Sequence, residues 1–432
     1  MNLLICTKLN PEQGFNTTAK SLEIIIKNLK KRYKLYIFIF LKKKETRITK
    51  NIIFNFEKLG ILKNRIFFSS DNNYKNYFVR AFPLFDQIYY KLFIKNKHLK
   101  EIKNIIDKKK INTIFEFHYC SEAILKVKNV ERIFYGGHPE HANQQIRYNF
   151  SEFFFFSRIK NKFLKYIALK IKKFLFKIYI FNLIETYHSI LKEYDKIITF
   201  NYQTYKNLIS NGFRDKSYFV SPFGKIKKKL RIEKINKKKE IKLIGCLGNK
   251  FSTNNTISSF YIFKYLLPQL KFTLKKKFKI ISFGKGNFSF NLKNLKIDKY
   301  YLDKGFVKNY DYEFKKNDFL LLCQNSLSTK KVVKYKKYLW DLHSIHSRIF
   351  DAFNNGVCIV AHSENLKSMP QLRHGYNCIA GKTPISLARS IKKIYFNTKL
   401  RRKILINGFK TLRKNLNNKT NIKKLENIIS KE

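Results

Sequence analysis

Two apolar rhythms alternate along this chain. Short unbroken apolar runs, such as "NLLIC" (2–6) and "KLYIFIF" (34–40), are separated by longer stretches with apolar residues at three- and four-residue steps, such as "TAKSLEIIIKNLKKRY" (18–33). The first rhythm is that of strands buried on both faces, and the second that of helices with one apolar side. In the first half the strand rhythm returns in "INTIFEFHY", "VERIFYGG", "YDKIITF" and "KSYFVSP". Strands alternating with helices predict a parallel α/β sheet.

The pattern breaks at "GKIKKKLRIEKINKKKEIK" (224–242), which is charged and lacks a sustained apolar face. It reads as an interdomain linker. The alternation then restarts with strand "IKLIGCLG", helix "NNTISSFYIFKYLLPQL" and strand "FKIISFGKG". Further strands are expected at "KYYLDKGF", "NDFLLLCQ", "VCIVAH" and "YNCIAG", with a helix over 346–355 and a last helical region from Pro384. The expected architecture is α/β with two Rossmann-like, doubly wound domains facing a cleft. Its parts are a first domain (1–225), a basic linker (226–240), a second domain (241–410) and a helical tail (411–432).

One helical stretch stands apart. In residues 151–185, Phe163, Ile167, Ile171, Phe174, Ile178 and Phe181 form an apolar stripe interrupted by Lys162, Lys165, Lys172, Lys173 and Lys177. Such a helix suits the headgroup region of an anionic bilayer. Equally, it suits a long core helix whose lysines snorkel to solvent.

Composition changes this picture only in part. The formal charge is +61, from 90 Lys and Arg against 29 Asp and Glu. A basic excess of that size ordinarily points to nucleic acid. Here it accompanies 42 Phe, 26 Tyr, only two Met and one Trp. Residues with A/T-rich codons are thus enriched together, and Lys occupies whatever solvated positions allow it. No RNA- or DNA-binding module is visible and no nucleic-acid partner is expected, although so basic a surface attracts anionic lipid and acidic substrates. Six cysteines are scattered without a C-x-x-C pair, as expected of buried, reduced thiols. The start of the chain lacks the basic and apolar regions of a signal peptide. No uncharged apolar stretch reaches the length of a spanning helix, which needs about 18 residues. A cytoplasmic protein is expected, its basic helix suited to the cytoplasmic face of the inner membrane.

Chemistry is to be sought at the C-terminal ends of the strands, where such domains bind ligands. There "CLGNKFS" supplies Gly248, Asn249 and Lys250 before a helix starting near Asn254 or Asn255. Exposed amides at that helix start, with Lys250 beside them, suit a pyrophosphate. "SFGKGN" adds Gly284, Lys285 and Gly286, and "DKGFV" adds Gly305. In "HSRIFDAFNNGVCIVAH" (346–362), Arg348 and Asp351 stand one helical turn apart, just before a Gly and a buried strand. His118 in "FEFHYCSE" and His138 in "YGGHPEH" follow strands of the first half. No H-E-x-x-H, Walker loop or G-x-S-x-G is present, and no Cys/His cluster has zinc spacing.

The segment "RIFDAFNNGVCIVAH" resembles the donor-site segment of GT-B glycosyltransferases, especially the large retaining group related to sucrose and mannosyl transferases. Arg348, Asp351, Ala352, Phe353 and Gly356 match its pattern in place. "GCLGNKFSTNNTISSFYIFKYLLPQL", "ISFGKG", "DKGFV" and "RHGYNCIAG" fall in the family's order, so the likeness is strongest over 241–410. The first half is similar more loosely, through the Gly14 loop, "GGHPE", Glu185 and "VSPFG".

The resemblance implies transfer of a sugar from a nucleotide-diphosphate donor to a hydroxyl acceptor, with retained anomeric configuration and no bound metal or other cofactor. It implies that Asp351 accepts hydrogen bonds from the donor ribose. Arg348 either faces the donor phosphates or pairs locally with Asp351. His138 would orient the acceptor or move its proton, and the acceptor would also meet Gly14 and His118, with Glu12 and Asn16 nearby. The implied acceptor is an envelope glycan or a lipid-linked saccharide. One departure stands out. The family usually carries a second acid, a Glu with seven residues between it and the position of Asp351, that contacts the transferred sugar; here that position is His343, with Asp341 two residues earlier.

Overall fold

The computed structural model describes residues 1–9, 17–41, 46–70, 95–118, 123–137, 139, 141–150, 161–230, 240–288, 297–327, 332–335, 338–344 and 347–430. The first sheet has seven parallel strands: β1 (Asn2–Thr7), β2 (Lys34–Leu41), β3 (Ile66–Ser70), β4 (Thr113–Phe117), β5 (Glu131–Gly136), β6 (Lys196–Thr199) and β7 (Ser217–Phe219). Their spatial order, β3-β2-β1-β4-β5-β6-β7, reverses direction between β1 and β4. The second sheet contains β8 (Ile241–Leu247), β9 (Phe278–Phe283), β10 (Tyr301–Asp303), β11 (Phe319–Leu322), β14 (Cys358–His362) and β15 (Ile379–Gly381). Its order, β10-β9-β8-β11-β14-β15, reverses between β8 and β11. Two doubly wound sheets therefore each carry a switch point, where strand ends diverge and leave a crevice.

The strands are buried because both faces of each sheet are covered. In the first sheet Leu3 and Ile5 face one apolar cluster and Leu4 and Cys6 the opposite one. In the second, Leu243 and Leu321 face one cluster while Ile244 and Leu320 face another. The helix after β8 runs from Thr253 to Tyr261, widens into a π turn over Ile262–Leu266, and resumes as Leu267–Leu274. Pro268 has no N–H for the regular ladder, and the wider turn accommodates that loss.

Two features join the domains. The last helix, Asn418–Ser430, returns to the first domain, where Ile422, Leu425, Ile428 and Ile429 pack with Leu22, Ile25 and Leu29. The second is an antiparallel hairpin of β12 (Val332–Tyr335) and β13 (Tyr338–Asp341), inserted before the Arg348–Asn354 helix. Trp340 on β13 and the nearby Leu342 are buried among Phe134, Tyr187 and Tyr194 of the first domain. Trp340 Nε1 donates to His188 Nε2 at 2.9 Å, and burial holds His188 down at about 4, so its imidazole is a neutral acceptor near pH 7.

Candidate active site

The ends of β8, β9 and β10 are tied backbone to backbone. Gly248 donates to Phe283 O (2.9 Å), Gly284 to Gly305 O (2.7 Å) and Lys250 to Lys285 O (3.1 Å). Gly284 has φ +128°, and a Cβ there would overlap the Gly248 carbonyl oxygen. Side chains are thus excluded by neighbouring backbone at this point, while the space over Gly248 and Gly305 stays open. Lys250 is buried, and its Nζ lies 2.7 and 2.8 Å from the two Asp303 carboxylate oxygens and 3.2 Å from Gly284 O. It braces the ends of β8 and β10, and a pyrophosphate would have to compete with Asp303 for it. Asn249 and Lys285 are exposed, with Lys285 Nζ 5.3 Å from the Phe306 ring centre.

The helix after β8 begins one residue from the sequence expectation, capped by Ser252, whose Oγ accepts from Asn255 N at 3.4 Å. Asn255 Nδ2 holds the Leu247 and Asn249 carbonyls at 2.9 and 2.8 Å. Arg348 reaches the same place from the Arg348–Asn354 helix, its Nη2 donating to Leu247 O (2.7 Å) and to Asn255 Oδ1. These bonds anchor the guanidinium to the β8 end at the switch point.

Asp351 lies one turn along that helix, mostly buried, and its Oδ2 accepts from Tyr310 OH at 3.4 Å. Burial raises its pKa to about 6. Lys20, Tyr310 and Arg348 pull the value down and Asp311 pushes it up, but desolvation prevails. Lys20 belongs to the Thr17–Leu29 helix of the first domain. A cation of the first domain thus favours the charged form of a carboxylate of the second.

His343 is wholly buried, with Nδ1 2.9 Å from Asp341 Oδ1 and Nε2 3.2 Å from Glu364 Oε2. Burial alone would raise the Glu364 carboxyl, yet hydrogen bonds from Lys367 and His343 bring it below its ordinary value. The backbone around His343 is gripped from the first domain by three asparagines. Asn201 Nδ2 donates to His343 O (2.6 Å). Asn207 bonds both backbone groups of Asp341 (2.9 and 3.4 Å), and Asn211 bonds both of Leu339 (3.0 Å each). Residues 339, 341 and 343 share one side of an extended segment, so side-chain amides there replace a neighbouring strand.

In the first domain His118 follows β4 at the switch point, with φ +60° and its N–H on Tyr135 O at 2.8 Å. Its ring packs 4.9 Å from Phe200 and 5.1 Å from Phe117. His138, Gly14, Glu12 and Asn16 lie outside the described residues, as do 151–160 of the long basic stretch and 231–239 of the linker. Among the described residues no group of three or more His, Cys, Asp or Glu converges as a metal-ligand set.

No protein-family profile and no curated protein sequence matches the chain. Solved structures do. HepE of Anabaena, crystallised with UDP, superposes with a TM-score of 0.60 at 12% identity over 100% of both chains. Sucrose-phosphate synthase of Thermosynechococcus elongatus gives 0.59 at 9% identity, covering 99% of this chain and 98% of that one. A glycosyltransferase of Rickettsia africae gives 0.57 at 12%, covering 100% and 99%.

The chain has the GT-B fold.

In that GT-B frame the second-domain candidates fall into two groups. Gly248, Asn249, Lys250, Gly284 and Lys285 gather at the strand ends, joined there by Arg348, and Asp351 follows one turn on. His343 stands apart in its acid-lined enclosure. Three participants escaped the sequence reading: Lys20, Tyr310 and Glu364. Lys20 sits at an ordinary solvated helix position, and Glu364 is 21 residues from the imidazole it meets, so neither carries a local signal.

Proposed function

We propose that this GT-B protein is a glycosyltransferase that moves a sugar from a nucleotide-diphosphate sugar to a hydroxyl acceptor, with retention. The observation that carries the reading is the Asp351 carboxylate, held at the second domain's switch point with Arg348 beside it and Lys20 opposite it on the first domain. Above pH 6 both carboxylate oxygens are acceptors, one of them taking the long Tyr310 hydrogen bond, and a vicinal diol such as a ribose suits such a pair. Lys20, Lys285 and the first amides of the Thr253–Tyr261 helix supply positive potential for a departing diphosphate.

The acceptor is taken to bind on the first domain, where His118 lies at the sheet's switch point; the family resemblance gives Gly14 to the same role and His138 the task of orienting the acceptor or moving its proton. An envelope glycan or lipid-linked saccharide, met at the cytoplasmic face of a membrane, is the acceptor class proposed. Support comes from the similar structures: HepE was solved with UDP-glucose, and a TarM variant of S. aureus with UDP, α-GlcNAc-glycerol and fondaparinux.

The test is a thermal-shift panel of nucleoside diphosphates and their sugars, uridine first, on the wild type and Asp351→Ala. A ligand that binds only the folded state raises the melting temperature. A shift with one base that disappears in Asp351→Ala supports the donor site; no shift with any nucleotide in a folded sample sinks it. A second reading, a GT-B protein that binds donor without transferring sugar, is favoured by His343, enclosed by Asp341 and Glu364 where relatives carry a sugar-contacting acid. Nucleotide-sugar turnover separates the two.

A further inference from the structure

The Lys162–Glu193 helix is apolar on both sides. Its inner side is the core one: Phe176, Ile180, Ile184, Tyr187 and Ile190 are buried against the first domain. The six residues of the outward stripe are not. Phe163 is 71% exposed, Ile167 39%, Ile171 57%, Phe174 65%, Ile178 38% and Phe181 36%. A helix apolar all round is expected in a core or a membrane, and a half-exposed one should be polar outside. The reading of this stripe as core side chains with snorkelling lysines therefore fails, because the stripe is the face turned outward.

We infer that this outward face docks on an anionic lipid surface. From Phe163 to Phe181 the stripe advances 18 positions, about 27 Å of helix at ~1.5 Å per position. Lys170 and Lys177 flank it, their ammonium groups 4.7 Å over Tyr166 and 5.6 Å over Phe181. The helix carries no acid before Glu185, so nothing anionic interrupts the stripe. Aliphatic and aromatic side chains bordered by cations match an acyl–headgroup boundary with anionic lipid.

A second copy of the chain would bring two lysine rows together, each on a molecule of formal charge +61. Nucleic acid would meet the lysines and leave Ile167, Ile171 and Ile178 in water. Among the described residues no helix is long and apolar enough to cross a membrane, so the contact is one that lies on the surface. The inference rests on exposure and charge, independently of the reaction proposed above.

The experiment is sedimentation with vesicles of phosphatidylcholine alone and of phosphatidylcholine mixed equally with phosphatidylglycerol, at physiological and high salt. A basic protein adheres to anionic vesicles through charge alone, and salt removes that part. Wild type is expected to bind the mixed vesicles and to keep a measurable share at high salt. The Phe163→Ser/Ile171→Ser/Phe174→Ser variant, altered only at exposed positions, is expected to bind roughly 30-fold more weakly while melting at the wild-type temperature. Equal binding of variant and wild type at both salts would overturn the inference, as would no binding to mixed vesicles. A wild-type dimer that these substitutions make monomeric would assign the face to a second copy instead. Retained nucleotide-induced stabilisation in the variant would show that the donor site is untouched, whichever way the vesicles decide.

Discussion

Asp351→Asn should stabilise the ligand-free protein at neutral pH while weakening nucleotide binding. The carboxylate is charged only at the cost of desolvation, which lifts its value from 3.8 to about 6. At about 1.4 kcal/mol per unit, that shift sets a ceiling of ~3 kcal/mol on the cost of the charge at pH 7.5. Water reaching the partly exposed carboxylate reduces the figure to roughly 1–2 kcal/mol. Because the folded state binds this proton more tightly than the unfolded one, wild-type stability falls as pH rises from about 4 through about 6. The asparagine is neutral throughout and still accepts from Tyr310, so it does not share that loss. Its melting temperature should match wild type near pH 4 and exceed it by on the order of 1–2 °C above pH 7. The assay is a pair of melting curves across that range, followed by nucleotide titration at pH 7.5, where the variant should lose the ribose contact. A difference in melting temperature that does not change with pH, or an Asn variant less stable than wild type at pH 7.5, would refute the account of a strained carboxylate.

His343→Glu should destabilise this chain by about 3 kcal/mol or more, because three carboxylates would then share one buried enclosure. A melting temperature equal to wild type at pH 7.5 would show that Asp341 and Glu364 do not hold the imidazole as described. Asn207→Ala should leave both backbone groups of Asp341 without their side-chain partner and cost about 1–3 kcal/mol, read as faster proteolysis at the β12–β13 hairpin; an unchanged cleavage rate would count against the asparagine ladder.

Much of the architecture is legible in the sequence because buried parallel strands are continuous apolar runs. The strands of both sheets stand where those runs are, with one omission. β3 is half-polar in "IFFSS" and lies at a sheet edge, so its pattern is weak. The β12–β13 hairpin went unseen for another reason. Its partners are asparagine side chains more than a hundred residues away, and Trp340 is buried by the other domain. Periodicity likewise announced the long basic helix but not its orientation, since both of its sides are apolar and only tertiary packing decides which is covered. At the site, the spacing of Arg348 and Asp351 was readable as one helical turn. The company they keep was not: the Leu247 carbonyl, Tyr310 and Lys20 are assembled from distant elements.

The returning helix Asn418–Ser430 sets an order on synthesis. Domains usually close as they leave the ribosome, N-terminal first. Here the first core lacks Ile422, Leu425, Ile428 and Ile429 until the second domain has been made. The wait spans the roughly 200 residues after β7, about 10–40 s at ~5–20 residues per second. During that interval Leu22, Ile25 and Leu29 have no final cover, so the nascent first domain is a candidate for chaperone capture. Its maturation waits on the synthesis of the second domain and the helix beyond it rather than on its own length.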